Sequence, residues 1–301
     1  MKEIELIRMY YYFCTYYLSD LCWHAQRFSN NRSPGNTKIT DEELLTVYFY
    51  CRRYENKHLK SEIYDYAQRY LLSWFPGLPS YANFNARINR LSDAFNVLAA
   101  LQLDRLQVSE SQLIAEISLI DSLPVILCSG KRAGRVAPEI SDKSYCATKN
   151  LYYFGVKLHT VAFSRPGKLP LPEFISVTPA SEHDLRAFYP ILSRLGNRAI
   201  FADKAYSDKT LNEQLENDIN TFIYTPVKLL QRDSVKTRQF KKAADDLFST
   251  AVSTVRQPIE SLFNWMIEKT KIQTASKVRA TAGLMSHVFG SIVTALLFWL
   301  F

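Results

Sequence analysis

The sequence predicts a mixed α/β fold, a sheet domain behind an all-helical N-terminal domain, and two changes of texture predict it. Residues 1 to about 105 carry helical periodicity without a convincing strand; from about 112 the chain turns to short runs rich in Ile, Val, Phe and Tyr, broken by Pro and Gly. In that second region three strand-like runs follow one another before helices and strands alternate, the pattern of a mixed sheet whose first three strands form an antiparallel meander. The domain boundary is placed accordingly, with 1–105 helical and 106–301 built on the sheet.

Taken in order, "TDEELLTVYFYCRRY" is a helix whose start is marked by Thr40 and, three residues on, Glu43, the spacing of a capping box. The turn-rich "WFPGLPSYANFNARINRL" then separates an aromatic helix from a basic one carrying Arg87 and Arg90, with Arg105 further on. Such a face suits a DNA-contacting domain and equally a solvated helix surface. Strands are expected at "AEISLIDSLPVIL", "YYFGVKLHTVAF", "LPEFISVTPA", "NRAIFADKAY" and "NTFIYTPV", with helices at "SEHDLRAFYPILSRLG" and "SDKTLNEQLEND". In "PIESLFNWMIEKTKI", Ile259, Leu262, Phe263, Met266 and Ile267 recur at helical spacing and form one apolar face. Because proline is tolerated only in a first turn, Pro258 places the start of this helix close to Glu260.

A chain of 301 residues, 47% hydrophobic and 22% charged, can bury a sizeable core. Its formal charge of +8, spread along the chain, suits a polyanionic partner. Five cysteines, an odd number without a C-x-x-C pair, read as reduced thiols and not as a zinc site. Two glutamates in "MKEIELIRMYYYF" are out of place in a signal peptide, and the apolar "SIVTALLFWLF" is short of a bilayer span and reads as a terminal helix packed on the core. A cytoplasmic protein with no membrane partner is expected.

Two of the strands are interrupted by acids, Asp121 in "LIDSLPV" and Asp203 in "FADKAY". A lone strand-end aspartate is ordinarily a turn residue. If the first and fourth strands are neighbours, however, these carboxylates lie side by side, and a pair of buried like charges must share a proton or hold a cation. Glu260, beside the apolar stripe of a late helix that packs on the same sheet, is the third member. Three oxygen ligands on two strands and a helix suit Mg²⁺ or Mn²⁺.

These segments carry a resemblance. "IDSLPV", "GVKLH", "TPASEHD", "FADKAYSD" and "RQPIESLFNWMIEK" followed by "KVRATAGLMSHVFG" occur in the order found in DDE-type transposases of bacterial insertion sequences, and the chain resembles the insertion sequence 982 family or a close relative. The resemblance implies a ribonuclease-H-like catalytic core and an enzyme that cuts DNA at transposon ends and joins the freed strand to target DNA. It also implies that Asp121, Asp203 and Glu260 are catalytic and hold two Mg²⁺ ions, with Mn²⁺ able to substitute. The partners implied are double-stranded DNA, both transposon ends and target, and further copies of the chain assembled on it, in a bacterial cytosol close to the nucleoid. Of the family's Tyr-x-x-Arg-x-x-x-Glu-x₆-Lys signature, Arg256 and Glu260 match; Ser253 stands in place of Tyr and Ile267 in place of Lys, with Lys269 and Lys271 nearby. The residues expected to touch DNA are Arg256, Lys204, Lys131, Arg132, Arg135, Lys269 and Lys271, with Lys131, Arg132 and Arg135 in a basic loop after the first strand. His159 reads first as a core residue and second as a ligand, and His183 and Asp184 first as a helix cap. A purely hydrolytic nuclease shares the same three carboxylates, whereas a non-catalytic DNA-binding descendant would have lost at least one.

Overall fold

A computed structural model describes residues 2–21, 23, 38–109, 117–131, 136–227, 235–275 and 278–301. By its contacts the chain divides into two units, Met1–Ser109 with Arg135–Glu139 and Met266–Phe301, and Glu110–Gly134 with Ile140–Trp265. Residues 266–301, grouped with the strands on sequence, thus pack with the helices.

In the first unit α1 (Glu3–Tyr16) buries Leu6, Met9 and Phe13 and runs into a π-helical turn, Tyr17–Leu21. Helix α2 (Asp41–Tyr54) opens on the expected capping box: the Glu43 N–H donates to Thr40 Oγ1, and the Thr40 N–H donates to Glu43 Oε2 at 2.7 Å. Helices α3 (Lys60–Tyr66), α4 (Tyr81–Arg90) and α5 (Ser92–Ser109) follow. Stacked and edge-on contacts among Phe13, Tyr48, Phe49 and Phe95 tie α1, α2 and α5 together. On the basic helix, Arg87 is not presented to solvent; it donates to the Ile39 carbonyl and pairs with Asp41.

Arg52, only 1% exposed, is the largest buried charge in this unit. Its Nε donates to Thr294 Oγ1 at 2.9 Å, one terminal nitrogen reaches the His58 carbonyl and Tyr48 hydroxyl, and the other reaches Ser291 Oγ at 2.7 Å and the Thr270 carbonyl.

The second unit is a six-stranded sheet. Its strands β1 (Ile117–Ser129), β2 (Asp142–Cys146), β3 (Leu151–Phe163) and β4 (Leu171–Pro179) are antiparallel neighbours around β3. Then come α6 (Asp184–Leu192), β5 (Arg198–Phe201), a 3₁₀ turn (Lys204–Tyr206), α7 (Lys209–Ile219) and β6 (Thr221–Tyr224). The order is β2-β3-β1-β5-β6, with β4 sharing the β3 edge used by β2, and β1, β5 and β6 are parallel. The sheet is mixed, and the antiparallel pairing of the three long strands is the expected one. Strand β2 is a correction, since its segment reads as loop on sequence: Lys143 and Tyr145 point out while Cys146 is buried, an alternation too short and polar to register as a strand. Ile120, Val161, Ile200 and Ile223 on the sheet pack with Leu185, Phe188, Leu192 and Leu215 on α6 and α7.

Helix α8 corrects the sequence reading more deeply. It spans Val235–Thr270 and carries Pro258 in its interior, so it does not start near Glu260. The proline removes a single N–H, leaving the Thr254 carbonyl without its intrahelical donor, a defect of about 3 kcal/mol that burial of the stripe outweighs. Ile259, Leu262, Phe263 and Met266 are buried as expected. Phe263→Ala is expected to lower stability by about 3–5 kcal/mol through the cavity it leaves, measurable by urea unfolding, with the m-value unchanged.

Helix α9 (Thr281–Leu300) is longer than the eleven apolar residues suggested. By length and composition it is the one described helix able to cross a membrane, yet 67% of its most apolar window is buried, and it packs against α2, α4 and α5 as a core helix.

Candidate active site

Strands β1 and β5 pair in parallel through Ile117–Ala199, Ser118–Ile200 and Leu119–Phe201. Two residues further along each chain, and so on one face, stand Asp121 and Asp203. Beyond the end of β5 the backbone at Asp203 is still extended, with φ −80° and ψ 177°. Its carboxylate accepts from the Ala205 N–H at 2.6 Å and caps the 3₁₀ turn, which fixes where the side chain points. The turn reading of this aspartate is therefore realised.

Asp121 sits mid-strand opposite Thr160 and accepts from the Ser122 N–H at 2.8 Å. One terminal nitrogen of Arg256 donates to Asp121 Oδ2 at 2.7 Å, and the other donates to Glu260 Oε1 at 2.5 Å. The four-residue spacing of Arg256 and Glu260 puts both on one side of α8. That geometry requires helix at Arg256, which the passage of α8 through Pro258 supplies. Burial pushes the Asp121 carboxyl up to about 6; Asp203 and Glu260 add to the rise, and Arg256 and the Ser122 N–H oppose it.

Carboxylate oxygens are the donor type that suits a hard divalent cation, and Asp121 holds its proton to an unusually high pH chiefly because it is buried. Among the described residues no three carboxylate, histidine or cysteine groups are gathered as a metal cluster. The Arg256 guanidinium lies between Asp121 and Glu260, where it supplies the positive charge a cation would bring.

Lys204 is exposed on the turn beside Asp203, and Lys131 is exposed just after β1. Arg132 and Arg135 lie outside the described residues. Lys269 and Lys271 fall in the helical unit, where Lys269 pairs with Glu268 and Lys271 takes a left-handed backbone with φ 56° just after α8.

His159 is the packed residue of its first reading. It is buried, bonded through Nε2 to Thr178 Oγ1 at 2.8 Å, and burial lowers its pKa to about 4. His183 occupies the N-cap position of α6 without a side-chain cap bond, and Asp184 accepts from Lys157 Nζ at 3.0 Å, so neither side chain caps the helix as expected. Sequence reasoning passed over Tyr206, the last residue of "FADKAY". Its hydroxyl is buried without a partner, and burial together with Asp184, Asp121 and Asp203 raises its pKa well above the usual tyrosine value. It lines a small cavity of about 70 Å³ with His159, Thr160, Asp184 and Phe188, and its place four residues after an interrupted apolar run was the available signal.

No curated protein and no solved structure matches this chain. A family model described as the transposase DDE domain matches residues 111–278, a span that takes in Asp121, Asp203, Arg256 and Glu260. That match covers more than half of the 301 residues, and the chain belongs to the transposase DDE domain family.

Proposed function

We propose that the protein is a transposase that binds the ends of a mobile DNA element, cuts the strand there and joins the freed 3′ hydroxyl to target DNA, on a ribonuclease-H-like core. The observation that supports this reading is the transposase DDE domain match over residues 111–278, within which Arg256 bridges Asp121 and Glu260 and Asp203 follows the strand parallel to that of Asp121. The order of segments further favours a relative of the insertion sequence 982 family, working in a bacterial cytosol as an oligomer on DNA.

Asp121, Asp203 and Glu260 would hold the divalent ions, Mg²⁺ by preference. Such ions supply charge for the oxygens of the scissile phosphate and lower the pKa of an attacking water or hydroxyl. The chain's own part is to present the acids deprotonated, which for Asp121 requires a pH above about 6. The guanidinium of Arg256 has the planar fork that would grip a phosphate with two parallel hydrogen bonds. Lys204, Lys131, Arg132, Arg135, Lys269 and Lys271 are the proposed further phosphate contacts.

The test is purified protein with Mg²⁺ or Mn²⁺ and a supercoiled plasmid carrying the element's ends. Joined products are expected. Nicks without joined products would restrict the activity to hydrolysis, and intact plasmid would overturn the reading. Binding to the same ends should weaken with salt by about 0.9 log units per phosphate contact for each log unit of salt. A flat dependence would contradict a phosphate-dominated interface.

A further inference from the structure

The hairpin formed by β2 and β3 has one face with an evident structural use and one without. Inward, Cys146 and Tyr153 are buried against Ala180, with Ile126 and Leu151 packed beside them. Outward, Tyr145 and Tyr152 are register partners across the hairpin and remain 49% and 60% exposed. Their ring centroids are 5.0 Å apart at 54°. The Lys143 ammonium lies 5.3 Å from the centre of the Tyr152 ring.

The position of this pair is held rigidly. The Gly130 N–H donates to the Tyr152 carbonyl at 2.7 Å, and a Cβ on Gly130 would come within 2.6 Å of the Tyr152 Cβ, so only glycine lets the two backbones meet. Tyr145 Oη donates to Asn150 Oδ1 at 2.5 Å, which fixes the first ring across the turn. Lys131 follows Gly130, Lys149 is on the hairpin turn, and both are exposed, as is Lys143. The only carboxylate between residues 142 and 154 is Asp142, which is turned to Ser181 and accepts from its N–H and hydroxyl.

Two paired exposed rings, one under the Lys143 ammonium, with no outward-facing carboxylate among the described residues of the hairpin, match a nucleobase and its flanking phosphates better than an apolar protein surface. We infer that the outward face of this hairpin is a stacking platform for an unpaired base of the DNA, with Tyr145 and Tyr152 taking the base and Lys131, Lys143 and Lys149 the adjacent phosphates. A paired base offers its face only to its neighbours in the helix, so the platform selects a strand end or a locally opened duplex, which strand cutting generates. The inference rests on the proposed function in assuming a DNA substrate.

The experiment uses the full chain without metal, so that nothing is cut, and two probes: a single-stranded oligonucleotide of about 12 nucleotides carrying 2-aminopurine, and its fully paired duplex. Wild-type protein is expected to quench the 2-aminopurine of the single strand. Tyr152→Ala and Tyr145→Ala should each weaken single-strand binding about tenfold and lift the quenching while leaving duplex affinity within about twofold. Tyr152→Phe, which keeps the ring, should behave as wild type. Melting temperatures are recorded for every variant, and if Tyr152→Ala does not fold, Tyr145→Ala decides. Unchanged single-strand affinity in the alanine variants, or an equal loss on both probes, overturns the platform. If that result comes with a wild-type protein that still cuts and joins DNA, the proposed function stands and only the platform falls; a wild-type protein that binds neither probe removes both.

Discussion

Asp121→Asn is expected to abolish strand cleavage, with a fall of about 10⁴-fold or more, the loss found when one member of a catalytic set that acts as a unit is removed. Asp203→Ala and Glu260→Ala should do the same, scored as plasmid nicking, with end binding retained. Wild-type-like cutting by any one of the three would remove that residue from the site. The pH behaviour of the metal-free protein provides an independent check. The Asp121 carboxyl is held at about 6 when folded, above the ordinary value of 3.8, so the folded state takes up this proton first. Its contribution is therefore a penalty at neutral pH that is relieved as pH falls through 6, amounting to about 3 kcal/mol at most. His159, lowered to about 4, works the other way and costs stability as pH falls below 6.5. The measurement is thus the difference between the stability curves of wild type and Asp121→Asn, which should slope between pH 4 and 6 and be flat above 7. Arg256→Ala separates from both: with two short hydrogen bonds gone and the acids uncompensated, the metal-free protein should melt at a lower temperature.

Arg52→Ala should lower stability by about 3–5 kcal/mol, as much as the Phe263 cavity. Two hydroxyls and a carbonyl, on Thr294, Ser291 and Thr270, lose their donor inside a site that water does not reach. Arg52→Lys should recover little, because an ammonium carries three donors on one atom where the guanidinium spreads its donors over three. Thermal unfolding of the two variants checks this, and a lysine variant as stable as wild type would mean that charge alone, and not the fork, holds these helices.

The neighbouring of the two strands that carry the aspartates was legible because each acid breaks an apolar run, and the parallel pairing of β1 with β5 is the arrangement that pattern called for. The Thr40–Glu43 box and the Ile259–Met266 stripe were legible because they are local, complete within one or two helical turns. What stayed hidden depends on tertiary context. Arg52 drew no reading and Arg87 read as part of a basic helix face, since nothing in a helix's own sequence announces that carbonyls and hydroxyls from distant segments will surround a guanidinium. Strand β2 borrows its order from β3, and α8 passes through Pro258 because burial of the Ile259–Met266 stripe outweighs one missing bond. The bridge from Arg256 to Asp121 depends on that helical turn, which the reading of Pro258 as a helix start had cut short.

The parallel register of β1 and β5 also sets how the gene tolerates length changes. A side chain in a strand alternates faces at each residue, so gaining or losing one codon between Ala199 and Asp203 would rotate the second acid to the far side of the sheet, although every residue type survived. The same single-codon change at Arg165–Lys168, in the turn between β3 and β4, leaves all ladders in phase. Libraries of one-residue insertions and deletions should therefore show sharp dead zones a few codons wide at the two aspartates and permissive ground in that turn, a pattern that substitution scanning alone would miss.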